Sequence, residues 1–230
     1  MTSFVGRWQI VHVANDAKAL HSFDPPTQQV PTLVVASVTN SALVLGSTQP
    51  HSVADADAAR RHGQDLVRRR SGGGAVLVSP GGQVWIDVWI PRGDPLWDDD
   101  VVGQAVPIGR AWAAAIDGLG HGPCTVHEAG VQRTTWSDLV CFAGRGPGEV
   151  FSASGRKLVG ISQRRTRQWV RLQTLVYRRW DSASSLAGLV LSIDERADAT
   201  RMLDRLVGVV DPADEPGSPD IWERVAAALR

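Results

Sequence analysis

The chain has 230 residues, enough for one domain with a sizeable core at 43% hydrophobic content. Basic and acidic side chains balance at 24 each, so no global field draws it to nucleic acid or to a membrane surface. With two cysteines, no run of about 20 apolar residues and no signal-peptide pattern, it reads as a cytoplasmic protein without a disulfide framework.

In chain order, Trp8 to Val13 reads as a strand and Asn15 to Phe23 as a short helix, broken by Pro25, Pro26 and Pro31. Thr32 to Val38 and Ala42 to Gly46 are β-rich, and Asp55 to His62 is a helix ended by Gly63. Leu66 to Arg69 is a short strand running into Ser71-Gly72-Gly73-Gly74. Ala75–Ser79 and Gln83–Ile90 are expected to form a hairpin across Pro80-Gly81-Gly82. Val84, Ile86, Val88 and Ile90 alternate with Trp85, Asp87 and Trp89, which fits an interior strand apolar on both faces.

Asp98, Asp99 and Asp100 precede a helix from about Val101 to Leu119, where acidic groups complement the helix dipole. Cys124–Val126, Asp138–Phe142, Glu149–Ser152, Leu158–Gln163 and Trp169–Tyr177 are expected as further strands. Leu186–Leu191, Glu195–Val207 and Pro219–Leu229 read as helices, the last a loose cap behind a linker at 212–219. The expected organisation is one α+β domain over 1–210, with a mixed, mainly antiparallel sheet flanked by helices, and a linker plus terminal helix over 211–230.

Of 24 basic side chains only Lys18 and Lys157 are lysine. Arginine is a fixed planar fork, whereas lysine is a compact, mobile charge, and Lys157 lies in a Gly-flanked stretch ahead of alternating apolar residues. It is a candidate for stabilising developing charge, or a surface lysine with no such role. In Arg68-Arg69-Arg70-Ser71-Gly72-Gly73-Gly74-Ala75-Val76, three bare glycines let a ligand lie against backbone N–H groups beside arginines. A triple glycine alone is equally an ordinary hairpin loop. His121, Cys124 and His127 fit no common zinc spacing. Trp85, Trp89, Trp97 and Trp112 read as core, with some available to wall an apolar tunnel.

Taken together, Arg-Arg-x-Ser-Gly-Gly-Gly-Ala-Val at 68–76, Asp138-Leu139-Val140 and Gly-Arg-Lys-Leu-Val-Gly-x-x-Gln-Arg-Arg at 155–165 resemble the lipoate–protein ligase family, within the wider group of biotin and lipoate ligases and octanoyltransferases. Leu-x-Leu-Gly-x-x-Gln at 43–49 is a weaker fourth element. The resemblance implies a biotin/lipoate ligase catalytic-domain fold. It also implies transfer of lipoate or octanoate to a lysine on a lipoyl carrier domain of 2-oxoacid dehydrogenase or glycine cleavage proteins. A ligase of this kind forms an acyl-adenylate from ATP with Mg²⁺.

On that resemblance, Lys157 contacts the acyl carbonyl and the α-phosphate. Arg69, Ser71, Gly72, Gly73, Gly74, Ala75 and Gly160 shape the substrate site, and Ser137 and Asp138 lie near the nucleotide, Asp138 as a possible Mg²⁺ contact. The chain departs from the ligase pattern at Ser137, at Val78-Ser79 and at Leu172-Gln173-Thr174. Cys141-Phe142 resembles the cysteine segment of the ATP-independent octanoyltransferases and amidotransferases of the same group. These carry the acyl group from an octanoyl carrier protein as a thioester, and need no cofactor. The ligase leads because the glycine loop follows its version. The Cys141 transferase is the alternative, and a non-catalytic acyl- or carrier-binding homologue is the third.

Overall fold

The computed structural model describes residues 2–24, 27–210 and 220–229. The expected linker at 212–219 lies outside them. Eleven strands form two sheets among the described residues. The larger contains β1 (Thr2–Val5), β2 (Trp8–Asn15), β3 (Thr32–Val38), β7 (Gln83–Pro91), β8 (Cys124–Val126), β9 (Val150–Ser152), β10 (Lys157–Arg165) and β11 (Trp169–Tyr177). Its order is β1-β2-β3-β7-β11-β10-β9-β8, antiparallel except for the β2–β3 pair. The smaller sheet has the order β5 (Asp65–Arg68), β4 (Ala42–Leu45), β6 (Val76–Val78). The expected α+β class with a mainly antiparallel mixed sheet holds.

Strand β7 is interior, between β3 and β11, and its alternation splits two cores. Val84, Ile86, Val88 and Ile90 join one cluster with Ile108, Trp112 and Ile116 of helix α3 (Val101–Asp117). Trp85 faces the other way, against Val44, Val67 and Val78 of the small sheet. The helix α3 starts where Asp100 caps it through Gly103 N at 2.7 Å.

Four expectations are corrected. The segments on either side of Pro80-Gly81-Gly82 do not pair: β6 bonds to β4, with Val78 opposite Ala42, while β7 belongs to the large sheet. The turn, with Gly81 at φ 67°, hands the chain from one sheet to the other. Asp138–Phe142 is not a strand. Val140 makes a single bridge to Ala75, and Cys141–Ala143 is one turn of 3₁₀ helix. The helix expected at Leu186–Leu191 lies earlier, as α4 (Ser182–Leu186), because Asp181 caps it by accepting from Ala183 N. The terminal helix α6 (Ile221–Ala228) is not loose: Ile221, Val225 and Leu229 are buried in the core beside α3, and Trp8 Nε1 donates to Leu229 O at 2.7 Å.

Short α1 (Ala17–Ser22) and α2 (Ala56–Arg61) begin at Asp16 and Asp55 caps, and α5 (Ile193–Leu206) at a Ser192–Glu195 capping box. No helix among the described residues is long and apolar enough to cross a membrane. The face of the large sheet opposite α3, the small sheet above it, the turn at Val140–Gly144 and the first turns of α3 line the site.

Candidate functional site

The glycine loop and the cysteine turn are one construction. Ala75 N donates to Leu139 O at 2.8 Å and Cys141 N donates to Ala75 O at 3.0 Å. A Cβ on Gly74 would lie 2.6–2.7 Å from the Val140 and Cys141 backbone, so only glycine fits that approach. Gly73 has φ 95°, the left-handed region that favours glycine. Gln49, the last residue of the weaker motif, ties in a third strand end: it accepts from Gly46 N at 2.9 Å and donates to Asp138 O and Leu139 O at 2.9 and 3.1 Å.

Arg69 is buried and braces the loop. Its guanidinium donates to Gly72 O at 2.6 Å, Gly74 O at 2.9 Å and Val44 O at 3.3 Å. Burial pushes its pKa below the usual arginine value, and the nearby Cys141 and Tyr177 oppose that shift. Ser71 is buried too, its hydroxyl bonded to Ser162 Oγ at 3.0 Å and Gln173 Oε1 at 3.4 Å.

Lys157 opens β10 and is 2% exposed. Its ammonium donates to Cys141 O at 2.9 Å and Gly144 O at 3.2 Å and pairs with Glu149 Oε1 at 2.6 Å, so three acceptors meet its three protons. It also lies 5.0 Å from the Phe142 ring centroid. Gly160 makes room for that ring, since a Cβ there would meet Phe142 at 2.9 Å. The carboxylate of Glu149 accepts from Gly146 N at 2.6 Å and Ile161 N at 3.3 Å. Burial raises its pKa, and Lys157 and the two N–H groups offset part of the rise.

Two spaces meet here. A narrow, mainly apolar cavity holds about 420 Å³ free of protein atoms, its mouth included, and is walled by Val44, Val76, Val78, Trp85, Phe142 and Leu175. A wider, more polar cleft of about 1020 Å³, open to solvent, runs along Gly72–Gly74, Arg133, Asp138, Arg145 and Lys157. Cys141, Ile161 and Ser162 line both.

The structure therefore brings Arg69, Ser71, Gly72, Gly73, Gly74, Ala75, Cys141, Lys157 and Gly160 together around the junction. Ser137 and Asp138 sit on the outer lip of the cleft. Ser137 Oγ caps its own turn, accepting from Thr134 N at 3.0 Å, and Asp138 is exposed and pairs with Arg133 at 2.6 Å. No group of three metal-ligating side chains occurs among the described residues.

Two contributors escape sequence reasoning. Glu149 lies eight residues before Lys157 and just ahead of β9, the strand antiparallel to β10, which is the only signal that could have paired them. His21 reaches the cavity from α1, and nothing in the sequence marks it.

The family model described as "Lipoyl protein ligase A/B catalytic domain" matches residues 12–202. No curated protein matches the chain. Among solved structures, the bipartite lipoate protein ligase and E2 lipoyl domain of Thermoplasma acidophilum give a TM-score of 0.69 at 17% identity, over 97% of this chain and 80% of that one. A lipoate-protein ligase A bound with ATP gives 0.63 at 17% identity, over 96% and 81%. A T. acidophilum structure with bound lipoic acid gives 0.59 at 17% identity, over 95% and 91%. At that identity the structures establish a common fold, and the family model, spanning most of the chain, establishes more. The chain belongs to the lipoyl protein ligase A/B catalytic-domain family.

Proposed function

We propose that this protein attaches a lipoyl- or octanoyl-type acyl group to the acceptor lysine of a lipoyl carrier domain, by way of a thioester on Cys141. One observation carries the reading: Cys141 lies where the apolar cavity opens into the polar cleft. An acyl chain in the cavity presents its carbonyl at that junction, and the cleft admits the two partner proteins' reactive arms in turn.

In the first step the Cys141 thiolate attacks the carbonyl of an acyl thioester on a donor such as octanoyl carrier protein. A new C–S bond forms, the donor's C–S bond breaks, and the donor leaves as a thiol with the proton Cys141 gave up. In the second step the neutral amine of the carrier lysine attacks the enzyme thioester. The amide C–N bond forms, Cys141 departs, and the amine's proton returns to its sulfur. Both steps begin from a thioester, which is already activated.

Lys157 is a positioning residue in this scheme. Its ammonium grips the carbonyls of Cys141 and Gly144 and thereby fixes the turn that presents the thiol. Arg69, beside Gly73 and Cys141, adds a positive charge near the sulfur.

A second reading, the ATP-dependent ligase, is favoured by the breadth of the cleft along the glycine loop, where a Cβ on Gly72 would meet nothing within 4 Å. The space suits a nucleotide. The buried groups expected to hold its phosphates are committed elsewhere, Lys157 to Glu149 and two carbonyls and Arg69 to the loop, while Asp138 is exposed and pairs with Arg133 at the surface. Lys157 and Arg69 as arranged do not fit the phosphates.

Intact-protein mass spectrometry separates the two. Wild type and Cys141→Ser are each given a lipoyl domain, with octanoyl carrier protein in one series and octanoate plus Mg-ATP in the other. The proposal expects an octanoyl adduct on wild type and carrier modification without ATP, both lost in Cys141→Ser. Modification that requires ATP and survives Cys141→Ser would overturn it in favour of the ligase.

A further inference from the structure

The acyl cavity is not apolar all round. His21 of α1, Arg69 and Gln173 of β11 form a polar arc in its wall, and each is more than nine-tenths buried. The arc is anchored from behind. Arg171 holds Asp87 through Nε at 2.9 Å and through a second, shorter bond from Nη2, and Trp85 Nε1 donates to Asp87 at 2.8 Å. Gln173 lies opposite Asp87 in the β11–β7 ladder, its amide nitrogen the group suited to face that carboxylate. The same amide nitrogen contacts His21 Nδ1 at 3.2 Å, and Ser71 donates to the amide oxygen at 3.4 Å.

The orientation of the Gln173 amide sets the imidazole tautomer. Nδ1 accepts from Gln173, so the proton of a neutral ring is on Nε2. The ring is neutral: burial, with Arg69 and Arg171 close by, pushes its pKa down to about 3. It is also held in place, packed on Trp85 at 4.6 Å between ring centroids. Yet Nε2 has no hydrogen-bond partner among the described residues, and neither has Arg69 Nε. Two buried donors without acceptors in one cavity wall are a cost of folding that a ligand can relieve. A plain alkyl chain cannot relieve it.

We infer that His21, assisted by Arg69, makes the cavity selective for acyl chains bearing a hydrogen-bond acceptor, an oxygen substituent or more weakly a ring sulfur, over an unsubstituted alkyl chain of equal length. The inference rests on the cavity being the acyl site, as proposed above. His21 is then the specificity-determining residue, with Gln173 setting its tautomer. A site built around a hydrogen bond rejects a ligand lacking it more sharply than an apolar pocket rejects a missing methylene.

The test is binding of free acids, which needs no catalysis. Wild type and His21→Phe are titrated by calorimetry with octanoate, a series of octanoates hydroxylated along the chain, and lipoate. Wild type is expected to bind the best-placed hydroxylated chain about five-fold or more tightly than octanoate, and His21→Phe to reverse that order. Lipoate is expected between them in wild type. Octanoate binding as tightly as every hydroxylated chain would overturn the inference while leaving the acyl site standing. No binding of any acid would instead sink the acyl-site reading, and the inference with it. If His21→Phe does not fold, ¹⁵N NMR of His21 in wild type decides: its Nε2–H resonance must move downfield with the hydroxylated acid and not with octanoate, and an equal response to both refutes selectivity.

Discussion

The Lys157–Glu149 pair offers the sharpest separation of stability from chemistry. Their side chains are 2% and 3% exposed, and all three ammonium protons are used. Glu149→Gln leaves a buried ammonium facing two carbonyls and an amide. Removing one partner of a buried pair costs about 3–5 kcal/mol, because the survivor is an uncompensated charge. For a domain of this size each kcal/mol moves Tm by about 2–4 °C, so the single variant should melt about 6–20 °C lower. Lys157→Met should cost a similar amount. The double variant, Lys157→Met with Glu149→Gln, removes both charges and keeps the aliphatic volume. It should recover much of the loss, giving a coupling of about 2 kcal/mol or more in a double-mutant cycle. Urea unfolding followed by tryptophan fluorescence measures all four proteins. Acyl transfer should not recover with stability, because the carbonyls of Cys141 and Gly144 still lack their donor. Single variants that each cost less than about 1 kcal/mol and add without coupling would refute the reasoning, since a buried pair cannot behave so.

Three further outcomes are expected. Gly74→Ala should destabilise by about 1–3 kcal/mol and reduce Cys141 acylation together, as its methyl meets rigid backbone at Val140 and Cys141; unchanged thioester formation by mass spectrometry would contradict this. Arg171→Met should strand Asp87 in the core and cost about 3–5 kcal/mol by urea titration, with Asp87→Asn restoring part of it. His21 has a folded pKa of about 3 against an ordinary 6.5, so the unfolded chain binds its proton first as pH falls. Its contribution is complete above pH 6.5 and declines progressively towards pH 3, with a slope of about 1.4 kcal/mol per pH unit within that window. His21→Phe should flatten the acid limb of stability against pH, and an unchanged limb would count against the buried neutral ring.

Much of the frame was legible because it depends on local periodicity. The alternation of Val84 to Ile90 identified an interior strand, and the Asp98–Asp100 cluster the start of α3. The turn at Pro80-Gly81-Gly82 announced a reversal but not its destination. Two sheets compete for β6, and the winning partner, Ala42 to Val44, is decided by packing that the turn does not encode. Val140 and Cys141 are apolar enough to read as a strand, yet their backbone packs closely on Gly74 and continues into a 3₁₀ turn instead. In the site, Lys157 stood out as one of two lysines. Glu149 did not, because an acid after Gly146-Pro147-Gly148 looks like ordinary turn polarity until β9 is set against β10. His21 was silent for the same reason: its partners Gln173 and Trp85 are distant in sequence.

The reciprocal bonds between Ala75 and the Leu139–Cys141 turn have a consequence for how such an enzyme changes over time. Segments 66 positions apart share one piece of backbone ladder, one contributing the ligand cradle and the other the sulfur. A drift of either drags the other, so on the proposed thioester route grip on the acyl donor and aim of the thiol are inherited as a single trait. On the same proposal, substrate range is more freely altered from the far wall, where α1 delivers His21.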